Sequence, residues 1–63
     1  MAVFTFYLHD ATHEIPRFEI ELLDGREEAI AHGRQLLATR PYYMAVTITE
    51  DDAEVARLLR SAA

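Results

Sequence analysis

Residues 2–9 alternate with a period of two. Phe4, Phe6 and Leu8 fall on one side, and Val3, Thr5, Tyr7 and His9 on the other. Aromatic and β-branched residues in strict alternation predict a half-buried strand. Residues 10–17 are polar and contain Pro16, which makes them a connection. Alternation resumes at residues 18–22, and a soluble sheet places Phe18, Ile20 and Leu22 inward and Glu19 and Glu21 outward. The simplest arrangement of these two strands is an antiparallel hairpin.

The period then lengthens to that of a helix. In "LLDGREEAI" Asp24 has the chemistry of an N-cap, and Glu27, three residues on, that of its capping-box partner. Glu27 and Glu28 suit the positive end of the helix dipole. Ala29, Ile30, Gly33, Leu36, Leu37 and Arg40 share one helical face, and Pro41 ends the run by disfavouring helical geometry at Arg40. Gly33 costs roughly 1 kcal/mol in a helix interior relative to Ala, and close approach of the helix to a sheet explains its place on the buried face.

Residues 42–49 form a third alternating segment. Met44, Val46 and Ile48 are expected on one side, and Tyr43, Ala45, Thr47 and Thr49 on the other. The tail "TEDDAEVARLLRSAA" has Thr49 as a cap candidate and acids in its first turn. It carries Val55, Leu58, Leu59 and Ala62 at helical spacing, with Arg57 and Arg60 toward the favourable end of the dipole. It reads as a C-terminal helix. The alternative is a turn at 51–54 followed by a fourth strand, a turn that ordinarily calls for Gly or Asn. The expectation is one α+β domain over residues 1–63: a mainly antiparallel three-stranded sheet in the order ββαβ, one helix packed on it, and a C-terminal helix or, alternatively, a fourth strand.

Three stretches carry a resemblance. "FTFYLHD", "FEIELLDGREEAIAHGRQLLA" and "MAVTITEDDAEVARL" together resemble a family of short bacterial domains of unknown function. Its members have an aromatic first strand ending in an Asp-containing turn, a second strand leading into an acidic, alanine-rich helix, and a closing Val-x-Val-x-Asp hairpin. Glu19 stands near a common family Gly, and the last turn lacks the family's Gly. The likeness implies a ββαβ(β) fold and no particular activity. A weaker likeness, carried by the helix alone, is to small antitoxin domains of partial ribonuclease-H-like fold.

Composition narrows the function classes. The chain has 63 residues, no cysteine, and a net charge of −5 from eleven carboxylates against six arginines. Disulfides and thiolate metal sites are excluded. So small a core is marginal by itself, which leaves association with another subunit as a common source of stability. The acidic balance opposes direct nucleic-acid binding, and neither a signal peptide nor a membrane span is expected. A cytoplasmic protein is the default.

Candidate chemistry is sparse. "HDATHE" gathers His9, Asp10, His13 and Glu14, and His9 with His13 are the metal-ligand candidates; this spacing fits no established zinc motif, and a solvated hairpin loop explains it. Glu50, Asp51, Asp52 and Glu54 lack the central Gly and ligand array of a calcium loop. No nucleophile motif or phosphate loop is present, so neither an enzyme nor a cofactor is expected. The sheet face opposite the helix is more informative: Thr5, Tyr7, Glu19, Glu21, Tyr43 and Thr47 are the interface candidates. The leading expectation is a non-enzymatic interaction module that forms a homodimer or higher oligomer. The alternative is an acidic, antitoxin-like inhibitor that occupies a basic surface of a protein partner.

Overall fold

The computed structural model describes residues 1–12 and 14–60. The elements run β1 (Ala2–Asp10), β2 (Arg17–Leu23), α1 (Arg26–Thr39), β3 (Tyr43–Glu50) and β4 (Ala53–Leu59). The strands form one antiparallel sheet in the order β2-β1-β3-β4. The fold is α+β, as the periodicity indicates, with four strands rather than three. Helix α1 covers one face of the sheet, where Phe4, Phe6, Leu8, Ala29, Leu36, Leu37, Tyr43, Val46 and Ile48 make the core.

The expected C-terminal helix is instead β4. Glu50 pairs with Ala53, so Asp51 and Asp52 alone turn the chain. Both adopt left-handed backbone angles, φ 49° and 65°, the conformation of a type I′ hairpin turn. Asp tolerates this region better than most side chains, because its short polar group bonds locally. An Asp pair thus does what Gly or Asn usually does. A bulge opposite Ile48 and Thr49 then brings both Val55 and Ala56 against the core, joined by Leu58. Burial of these side chains outweighs the helix propensity of the segment, a weak preference that tertiary context overrides.

A second bulge corrects the alternation of β3. Asp10 pairs with Tyr43 and His9 with Ala45, which leaves Met44 as the extra residue. Tyr43 is therefore buried at 2% exposure, and Met44, expected inside, is half exposed.

Helix α1 starts one residue later than the acidic motif suggests. Gly25, not Asp24, is the N-cap and makes no side-chain cap bond. The backbone N–H of Asp24 donates to Glu28 Oε2 at 3.3 Å, so Glu28 rather than Glu27 reaches back over the first turn. At the other end the Arg40 N–H donates to the Leu36 carbonyl at 3.0 Å, and Pro41 follows. Gly33 lies against the sheet as expected: a Cβ there would stand 2.9 Å from Leu58 Cδ1 and 3.0 Å from Ile48 Cδ1.

Arg60, just beyond β4, ties three elements together. Its backbone N–H donates to the Met44 carbonyl. Its guanidinium donates to the carbonyls of Tyr43 (2.8 Å), Arg40 (2.9 Å) and Leu37. The last two are carbonyls at the end of α1 that lack an intrahelical partner, and a cation there also suits the negative end of the dipole.

Candidate functional site

The face of the sheet away from α1 has no covering element among the described residues. Directly opposed residues of antiparallel strands share a face, so the register defines this surface. Val3 pairs with Leu22, Thr5 with Ile20, and Tyr7 with Phe18. Thr5 also pairs with Thr49, Tyr7 with Thr47, and His9 with Ala45. Thr47 pairs with Arg57 and Ala45 with Leu59.

The β2–β1 half of this face is apolar. Phe18 is 60% exposed, Leu22 59%, Ile20 58% and Val3 49%. The rings of Tyr7 and Phe18 lie 6.4 Å apart across the strand pair. The β3–β4 half is more polar. His9, Ala45, Thr47, Arg57 and Leu59 line a hollow of about 180 Å³, well below the roughly 300 Å³ of common ligand sites. His9 Nε2 is hydrogen-bonded to Thr47 Oγ1 at 3.2 Å.

Thr5, Tyr7 and Thr47 thus occupy the outer face, as their alternation indicates. Three other interface candidates do not. Tyr43 belongs to the core because of the β3 bulge. Glu21 pairs with Phe4 and Glu19 with Phe6, which puts both carboxylates on the side of α1. The inversion of β2 turns Phe18, Ile20 and Leu22 outward, against expectation. Alternation shows which residues share a side but not which side receives the helix, and β2 is an edge strand. The clue in the sequence was Arg40 on the predicted buried face of the helix, which calls for a carboxylate opposite.

That carboxylate is Glu19: Arg40 Nη1 donates to its Oε2 at 2.7 Å. This hydrogen bond, and then the Glu19 charge, raise the pKa of the guanidinium above its ordinary value. Arginine stays protonated in any case, so the pair adds no arginine titration at working pH. Glu21 faces His32, with 3.9 Å between Oε1 and Nε2.

Of the loop candidates, Asp10 Oδ1 accepts hydrogen bonds from the backbone N–H and hydroxyl of Thr12. His13 lies outside the described residues. No described helix is long and apolar enough to cross a membrane. Compared with protein families, curated proteins and solved structures, the chain matches none.

Proposed function

We propose that this chain is a non-enzymatic interaction module that self-associates through the uncovered face of its sheet. The observation that carries this reading is the exposed strip of Phe18, Ile20, Leu22 and Val3, flanked by Tyr7 and Thr5. Large contiguous apolar surfaces on soluble domains mark interaction sites. A strand that turns its apolar set outward and its carboxylates inward fits a fold whose outer face is meant to be covered.

A second copy is the occupant that size and charge favour. The molecule spans 32 × 24 Å in its two longer directions, so the whole outer face is at most on the order of 750 Å², and an interface of the standard ~800 Å² per partner would use both the apolar β1–β2 half and the more polar half that carries Arg57. The chain carries a net charge of −5, yet the strip formed by Val3, Thr5, Tyr7, Phe18, Ile20 and Leu22 holds no carboxylate. Two such faces meet without opposing like charges, whereas a basic partner finds nothing there to recognise. The small hollow on this face also suits a docking surface better than an active site.

Light scattering coupled to size exclusion tests the reading. The wild-type chain is expected as a dimer or larger species at micromolar concentration. Ile20→Asp and Phe18→Asp, both at exposed positions, are expected to give a monomer with an unchanged circular-dichroism spectrum. A wild-type chain that remains monomeric at millimolar concentration refutes self-association, and oligomers that survive both substitutions refute this face.

A further inference from the structure

The helix-side face of β2 poses a separate question, independent of self-association. Glu19 and Glu21, two residues apart on a strand, project to the same side, and α1 sets His32 against them. One donor atom from each, taken together, all lie within 4.8 Å of one another. The His32 ring is held edge-on to Phe6, with centroids 4.9 Å apart and planes at 67°. Its Nε2 is sealed from solvent and makes no hydrogen bond. The 3.9 Å to Glu21 Oε1 is too long for one. A buried ring nitrogen without a partner is costly, and here a carboxylate oxygen of Glu21 lies 3.9 Å from it.

We propose that Glu19, Glu21 and His32 bind a divalent first-row transition metal ion that joins edge strand β2 to α1. Two carboxylates and one imidazole are a borderline donor set suited to zinc, manganese, iron(II), cobalt or nickel. Donors around such an ion sit about 2.0–2.2 Å from it, and therefore roughly 3–3.5 Å from one another. Binding therefore requires the three side chains to draw closer than their present spread of up to 4.8 Å. The side chains of Glu19 and Glu21 are 34% and 44% exposed and have room to turn. Water completes the shell on the open side. Arg40 competes for the site, since it holds Glu19 Oε2, while Oε1 of the same carboxylate remains to bind.

The ion has a physical use. Within a domain lacking disulfides, an ion bound by the folded chain alone stabilises it in proportion to the logarithm of its concentration over Kd. It also supplies the partner that His32 Nε2 lacks.

The test is calorimetric titration of zinc chloride into the full chain at neutral pH and 150 mM salt, with thermal melts in parallel. One zinc per chain and a melting temperature that rises with zinc are expected. Glu21→Gln, at a half-exposed position and nearly isosteric, is expected to keep the fold and weaken binding at least tenfold; His32→Ala is expected to abolish it. A His9→Ala/His13→Ala variant is expected to bind as wild type. Absence of both heat and thermal shift in the wild type overturns the proposal. So does a Glu21→Gln variant that binds as tightly as wild type, or loss of binding in the double histidine variant, which places the ion at His9 and His13 instead.

Discussion

Arg60 donates to the carbonyl of Leu37, so the end of the last strand caps the end of the only described helix. The same guanidinium also holds the carbonyls of Arg40 and Tyr43. A charged hydrogen bond contributes about 1.5–3 kcal/mol, and an abandoned buried acceptor costs a further share. Arg60→Ala is therefore expected to lose about 2–3 kcal/mol in urea denaturation. Arg60→Lys is expected to recover only part, because an ammonium cannot span three carbonyls with the geometry of a planar fork. Equal stability of Arg60→Ala and wild type would show that the clamp contributes nothing.

The start of α1 offers a gain. Gly25 is the N-cap, with extended backbone angles and no atom within 4 Å of where a Cβ would stand. Gly25→Ser adds a hydroxyl able to accept from the first turn and restricts the unfolded chain. An increase of about 0.5–1 kcal/mol is expected. Asp24→Ala, by contrast, removes a side chain that makes no cap bond, and a change within about 0.5 kcal/mol is expected. Chemical denaturation of the two variants side by side decides between Gly25 and Asp24 as the cap.

Gly33 marks the closest approach of helix and sheet. An alanine Cβ there would meet Leu58 and Ile48 at 2.9 and 3.0 Å, both at the mobile ends of side chains. Overpacking costs about 1–3 kcal/mol, against a helix-propensity gain of about 1 kcal/mol. Gly33→Ala is expected to destabilise by roughly 1 kcal/mol. Adding Leu58→Val is expected to cost less than the sum of the two single changes, a coupling that a double-mutant cycle reads directly.

The Asp51-Asp52 turn is strained where Asn-Gly would be at ease. Each aspartate has φ in the left-handed region, at a cost of order 1 kcal/mol for a side chain of this kind. Asp51→Asn/Asp52→Gly is expected to raise the melting temperature by several degrees, in line with about 1 kcal/mol on so small a domain. An unchanged or lower melting temperature would show that the turn is already relaxed.

These variants also mark where the sequence is legible. The inward faces of β1 and α1 could be read from periodicity, since Phe4, Phe6, Leu8, Ala29, Leu36 and Leu37 are all buried. Gly33 could be read from its position on that helical face. The inversion of β2 could not, because Phe18, Ile20 and Leu22 form the same set whichever way the strand faces. Tyr43 and Met44 exchanged places through a single unpaired residue, which leaves no trace in composition. The tail misled because its helix propensity is genuine but weaker than the burial of Val55, Ala56 and Leu58. Arg60 was recognisable as a partner for a helix C-terminus, but the helix it serves is α1. Of the interface candidates, Tyr7, Thr5 and Thr47 were assigned their face correctly and Tyr43, Glu19 and Glu21 were not, while the aromatic and aliphatic strip of β2 became visible only through the register.

The strand order bears on how the chain folds. β1 is a central strand whose neighbours are β2, which follows it at once, and β3, which arrives only after the helix. Hairpins β1–β2 and β3–β4 close short loops and can form early. The β1–β3 seam, which brings Phe4 beside Glu50, closes a long one and carries the larger entropic cost. Joining the two hairpins is therefore the step expected to be slow. Until it happens, the early hairpin offers an unpaired edge on β1 beside the apolar strip of β2, so during refolding the greatest risk of misassembly falls on the half of the sheet that carries the proposed interface.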